Sequence, residues 1–142
     1  DNFKRLIDGE SFFGYFISST PSSIQDMYKN FFKLLSFMDK ECKNNGSKFI
    51  LIIFPHRYQL KEPVWNFYKD LYNFNESDFD LKLMNKIITD YCTKENIEFV
   101  DPFNSLSVIK DKLYLSFDNH MNSKGHRLVA QEVSNYIENN IK

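Results

Sequence analysis

Near the carboxyl end of the chain, an aspartate and a histidine stand two residues apart in a predicted loop. Asp118 and His120 precede a helix that the hydroxyl of Ser123 is expected to cap. A carboxylate beside an imidazole can accept one ring N–H and turn the other nitrogen toward a nucleophile. The positive end of the following helix opposes a charge on the ring and keeps the neutral form available. The pair therefore predicts general-base chemistry, against the alternative of a structural pair of loop residues.

Other residues that could do chemistry are more scattered. His56 and Arg57 follow an apolar run that predicts a buried strand, and open α/β sheets bind ligands at the carboxyl ends of their strands. We therefore expect both to contact substrate, the alternative being a solvated loop. His126 falls one turn into the last helix, where a structural role fits better than catalysis. Cys42 and Cys92 are predicted to be buried free thiols, and no metal or cofactor is expected.

The apolar spacing predicts the elements that must position these residues. Residues 49–54 are six apolar residues without alternation, which is typical of a strand buried on both faces of a parallel sheet. A second short strand is expected at 97–101. Helical spacing or helix-start residues predict helices that begin near residues 21, 65, 81 and 123. The order helix, strand, helix, strand, loop, helix predicts one α/β domain over residues 1–142.

Composition excludes several classes of protein. The 142 residues are 42% hydrophobic and 17% aromatic, which argues against a disordered chain. A net charge of -1 gives no broad attraction to nucleic acid or to an anionic membrane surface. No apolar run reaches the ~18 residues that a membrane-spanning helix needs, so no span is predicted.

The stretch 118–130 also carries a family resemblance. Its sequence, Asp-Asn-His-Met-Asn-Ser-Lys-Gly-His-Arg-Leu-Val-Ala, resembles the last conserved block of the SGNH/GDSL hydrolases. In that family an Asp and a His precede an Asn, a Gly-His pair and a terminal helix. The first predicted strand with Gln59 after it, and the second strand, resemble the second half of the same fold. The resemblance covers roughly residues 11–141 and is sharply specific only over 113–130.

This resemblance implies both a fold and an activity. The fold is a three-layer, flavodoxin-like parallel sheet of the SGNH type, of which this chain would carry the C-terminal half. The activity is that of an esterase or O-acyltransferase on an ester such as an acetylated carbohydrate. A serine attacks the ester carbonyl, His120 is its general base, and Asp118 orients His120.

The serine itself is the open question. Gly9-Glu10-Ser11-Phe12 is similar to the family's Gly-Asp-Ser block, which makes Ser11 a candidate nucleophile. That block should follow a buried strand, yet only a short, interrupted apolar stretch precedes it. Alternatively, Ser11 lies on a core-packed helix and the nucleophile lies upstream of Asp1, or the domain is catalytically silent and serves binding or assembly. The sheet edge left by few strands favours association with an N-terminal segment or with a second copy.

Overall fold

The computed structural model describes residues 12–60, 62–116 and 118–141. Helices dominate this part of the chain, and the structure is 63% helical. The α-helices are α1 (Ser22–Asn44), α2 (Arg57–Leu60), α3 (Glu62–Tyr72), α4 (Leu83–Glu95), α5 (Phe103–Ser107) and α6 (Ser123–Asn140), and short 3-10 helices span Phe12–Phe16 and Glu76–Asp78. The strands are β1 (Ile50–Ile52) and β2 (Glu98–Val100). None of the helices in these ranges has the length and apolar character needed to cross a membrane.

The two strands pair in parallel and separate two groups of core residues. Leu51 pairs with Phe99 at the centre of the register, and the backbone N–H of Ile53 extends the pairing to Val100. Leu51 and Ile53 pack into the cluster built from α1 and α4. Ile52 packs into the other cluster, which α5, α6 and the segment before α6 supply. This alternation follows from the two-residue period of a strand.

The predicted three-layer, flavodoxin-like sheet is wrong. In the described ranges the chain forms a single two-stranded sheet, and each strand is three residues long. The apolar run at 49–54 reflects a strand that is covered on both faces. Such a run does not report how many strands flank it, and Ile50–Ile52 are only half-buried. Burial here comes mainly from helices and from a separate aromatic cluster of Phe13, Phe16, Tyr58, Trp65 and Phe74.

Turn-forming residues end the helices where the sequence predicts. Gly46 follows α1 with a φ of 69°, and Asn96 follows α4 with a φ of 52°, both in the left-handed region that glycine and asparagine tolerate. Ser123, the predicted cap of α6, lies one residue after the observed cap. Asn122 is the cap, because its side-chain oxygen accepts hydrogen bonds from the backbone N–H groups of Lys124 and Gly125.

A chain of buried hydrogen bonds joins the end of β1 to α4 and to the end of β2. The side-chain oxygen of Gln59 accepts the backbone N–H of His56 at 2.6 Å. Its side-chain nitrogen donates to the Leu81 carbonyl at 2.7 Å and to the Asn85 side-chain oxygen at 2.6 Å. Asn85 in turn donates to both carboxylate oxygens of Asp101 at 3.0 Å. Because the side chains of Gln59 and Asn85 are both buried, their amide atoms need these partners.

Removing Asn85 from the middle of this hydrogen-bond network should destabilise the fold. We expect Asn85→Ala to lower the free energy of unfolding by about 2–3 kcal/mol, because the Asp101 carboxylate loses both of its contacts with the Asn85 amide. Urea unfolding followed by circular dichroism measures this. Asn104→Ala, on the exposed side of α5, is the matched control and should change the value by less than about 0.5 kcal/mol. Equal effects of the two substitutions would contradict a stabilising role for the buried chain.

Candidate active site

Asp118 holds His120 through both of its carboxylate oxygens. One oxygen lies 3.1 Å from the ring nitrogen Nδ1 of His120. The other accepts the backbone N–H of His120 at 2.8 Å. The His120 side chain is 83% exposed and that of Asp118 is 33% exposed, so hydrogen bonds rather than burial fix this pair. With Nδ1 directed at the carboxylate, Nε2 is the nitrogen left to exchange a proton with a substrate or nucleophile.

A short hairpin carries the pair. The backbone N–H of Leu115 donates to the His120 carbonyl, and that of Asn122 donates to the Leu113 carbonyl, both at 2.9 Å. The hairpin then runs directly into α6, whose first turn it crosses closely. A Cβ added at Gly125 would stand 2.5 Å from the Leu113 carbonyl oxygen, so only glycine fits there. The glycine of the Gly-His pair therefore lets the hairpin lie against the helix.

Two side chains fasten this hairpin to the segment that follows β1. A guanidinium nitrogen of Arg57 donates to the Asp118 carbonyl at 2.9 Å. The hydroxyl of Tyr114 donates to the Pro55 carbonyl. Arg57 and Asp118 are 61 residues apart in sequence. These bonds therefore join the segment after β1 and the Asp-His pair into one structural unit. The position of His120 therefore depends on β1 as well as on its own loop.

A cleft of about 390 Å³ opens between the hairpin and the end of β1. Its walls bring all three histidines of the sequence together, although His56 is far from His120 and His126 in the chain. The lining residues are Phe54, Pro55, His56, Met84, Tyr114, Asn119, His120, Met121 and His126. This volume lies within the usual range for small-molecule sites, and the position matches the strand ends where α/β proteins bind ligands.

The residues predicted to contact substrate occupy different places. His56 lines the cleft. Arg57 instead lines a neighbouring cavity of about 200 Å³ with Pro63, Val64 and residues 112–115. Its role as a substrate contact stays a prediction, whereas its bond to the Asp118 carbonyl makes it a support of the hairpin. His126 contacts the cleft wall, with its ring 6.1 Å from that of Phe54 in an edge-on arrangement.

Two groups at or next to the cleft have shifted pKa values. Burial lowers the pKa of His56 from 6.5 to about 4, and the nearby Arg57 guanidinium adds to the shift. His56 is therefore neutral near pH 7, and its Nδ1 lies 3.4 Å from the backbone N–H of Tyr58. The pKa of Asp118 is lowered, first by the backbone N–H of His120 and then by the His120 side chain. An ionised carboxylate thus faces Nδ1 of His120.

The nucleophile is the part that the described residues do not supply. Ser11 lies outside the described ranges. None of the described residues that line the cleft is a serine, threonine or cysteine. The described ranges also contain no group of three or more His, Cys, Asp or Glu residues that could hold a metal ion. Cys92 is buried and Cys42 is half-buried, and both are free thiols.

Sequence reasoning missed several residues that build the site. Tyr114 lies on the apolar stretch before the Asp-His pair, where nothing distinguishes its hydroxyl from that of a surface tyrosine. Asn85 is a polar residue among apolar helix positions. That interruption of the apolar pattern is the sequence feature that could have indicated a buried polar contact. Comparison of the chain with protein-family models, with curated proteins and with solved structures gives no match in any of the three. Function is therefore inferred from the geometry of Asp118 and His120 and from the resemblance of 118–130.

His56 should give the fold a distinct pH dependence. The unfolded chain takes up this proton near pH 6.5 and the folded chain only near pH 4, so the free energy of unfolding should fall as the pH drops through that window. After allowance for solvent screening the loss is on the order of 2 kcal/mol. Urea unfolding at closely spaced pH values measures it. His56→Gln, which cannot titrate, should flatten this slope, and an unchanged slope in that variant would contradict the assignment.

Proposed function

We propose that this chain carries the general-base part of an acyl-transfer site, in an esterase or O-acyltransferase of the SGNH/GDSL type. The observation that carries the proposal is the 3.1 Å contact between the Asp118 carboxylate and Nδ1 of an otherwise exposed His120 at the edge of a cleft. The resemblance of residues 118–130 supports it. The two-stranded sheet gives it no support, so the proposal concerns the site and not the fold.

The chemistry follows from the tautomer that Asp118 selects. With the neutral ring protonated on Nδ1, Nε2 of His120 accepts the proton of a serine hydroxyl as the oxygen attacks the ester carbonyl. The imidazolium that forms is stabilised by the ionised Asp118. It then returns the proton to the leaving alcohol, which leaves an acyl-serine. Water or a sugar hydroxyl takes the acyl group in the second half of the reaction, with His120 again as the base.

The cleft suits an ester of modest size. Its walls are mainly apolar, and its polar groups are histidines and Asn119 rather than charged arginine, lysine or carboxylate side chains among the described lining residues. A small acyl group, such as the acetyl group of an acetylated carbohydrate, can be enclosed by such a surface. The nucleophile in this scheme is Ser11 or a serine contributed from outside this chain.

A second candidate function is a catalytically silent domain used for binding or assembly. The observation that favours it is the lack of a serine, threonine or cysteine among the described residues of the cleft wall. In that case Asp118 and His120 form a structural pair that stabilises the hairpin, and the cleft binds a ligand without transforming it. The two candidates differ in whether a serine becomes reactive beside His120.

A serine-reactive fluorophosphonate probe distinguishes them. If Ser11 completes the site, peptide mass spectrometry finds the probe on Ser11, and labelling is lost in His120→Ala because the hydroxyl is no longer deprotonated. If a folded sample stays unlabelled, the nucleophile comes from outside this chain or the domain is silent. Probing the full-length reading frame then separates these two cases.

In the catalytically complete protein, His120→Ala should reduce turnover of an ester such as p-nitrophenyl acetate by about 10²–10⁴-fold, since general-base catalysis contributes that much. Ser123→Ala is the matched control, because Ser123 is an exposed neighbour outside the cleft. The control should stay within about twofold of the parent, because a surface substitution of this kind rarely matters. Near-normal turnover in His120→Ala would rule out the proposed base.

A further inference from the structure

Helix α1 is apolar over more of its circumference than one core requires. At 100° per residue, six of its polar side chains fall within roughly one third of the helix surface. They are Asp26, Lys29, Lys33, Ser36, Lys40 and Lys43. The rest of the surface is mainly apolar, interrupted by Ser23, Asn30, Asp39 and Glu41. It is wider than the apolar stripe of about 100° that a helix packed on one core needs.

Only one face of this surface meets the core of the protein. Ile24, Tyr28 and Leu35 belong to the core cluster that α1 shares with α4 and the sheet. The second face points away from it and is formed by five large apolar side chains. Their exposed fractions are 48% for Met27, 36% for Phe31, 54% for Leu34, 60% for Phe37 and 43% for Met38. We call these five residues the α1 stripe.

The stripe is large enough to be the centre of an interface. With large side chains of roughly 200 Å² each, these fractions leave about 500 Å² of apolar surface exposed to water. A contiguous patch of that size marks an interaction site more often than chance exposure. A stable dimer buries about 800 Å² on each partner, and the polar side chains beside the stripe can supply the difference as a rim.

We propose that the α1 stripe pairs with the α1 stripe of a second copy of this chain, with the two helices antiparallel. The spacing of Met27, Phe31, Leu34 and Met38 is four, three and four residues. That spacing forms the seam between two packed helices, so it fits a partner helix with the same repeat. A two-fold axis through the middle of the stripe sets Phe31 opposite Leu34 and Met27 opposite Met38.

The charge at the carboxyl end of the stripe favours the antiparallel arrangement. Glu41 lies in line with the stripe at its carboxyl end and is exposed. In antiparallel pairing it faces the first turn of the partner helix, whose N-terminal dipole attracts a carboxylate. Parallel pairing would instead set Glu41 beside the Glu41 of its partner, where like charges repel.

Sedimentation equilibrium of the chain tests the association. We expect a dimer at about 10 µM, because an interface of this size binds in the micromolar range or tighter. Leu34→Lys, in the middle of the stripe, should raise the dissociation constant at least tenfold. Gln25→Lys introduces the same side chain on the opposite side of α1 and should leave the dimer intact. Circular dichroism checks that both variants stay folded. A folded parent chain that sediments as a monomer at about 100 µM would overturn the proposal.

Disulfide trapping tests the orientation. Met27→Cys and Met38→Cys are prepared separately in a Cys42→Ser background, since Cys42 is half-buried on the same helix whereas Cys92 is fully buried. Mild oxidation of the mixed proteins should give the disulfide between positions 27 and 38, because these residues face each other across the two-fold axis. Disulfides between like positions in either protein alone would show a parallel pair and contradict the proposed register.

Discussion

A single buried amide organises the region around the cleft. Gln59 accepts the backbone N–H of His56 and donates to Asn85, which in turn donates to the Asp101 carboxylate. The turn after β1, the helix α4 and the end of β2 are thereby fixed to one another within a few ångströms. Because these groups are buried, any other arrangement would leave polar atoms without partners, at a cost that the small sheet could not offset. The short strands thus depend on this network for their geometry.

The candidate site combines this hydrogen-bonded turn after β1 with an exposed hairpin. The turn after β1 supplies His56 and Pro55 to the cleft, and the bonds from Arg57 and Tyr114 hold the hairpin over it. His120 itself remains open to solvent, and Asp118 supplies its orientation. This division suits a general base, since the imidazole must reach a nucleophile that lies on another segment. Burial lowers the pKa of His56, which is neutral near pH 7, while the pKa of Asp118 is lowered and its carboxylate is ionised.

Local signals in the sequence predicted most of the helices and both strands, but not the fold class. Asn96 and the Asn45-Gly46 pair mark helix ends because their backbone preferences are local. The contact between Asp118 and His120 is also local, and the sequence predicted it. The Gln59–Asn85–Asp101 network joins three distant segments, so no pattern within one segment could predict it. The apolar run at 49–54 was misleading about the sheet because helices and the segment before α6 cover the strand, without further strands beside it.

Measuring the tautomer of His120 tests whether Asp118 orients this ring as a general base. Nitrogen-15 NMR of the imidazole, at a pH where the ring is neutral, reports which nitrogen carries the proton. We expect a proton on Nδ1, held by the Asp118 carboxylate 3.1 Å away, with Nε2 as the free base. The predominance of that form should disappear in Asp118→Ala. A proton mainly on Nε2 in the parent protein would show that Asp118 does not orient the ring, and it would contradict the assignment of His120 as a prepared general base.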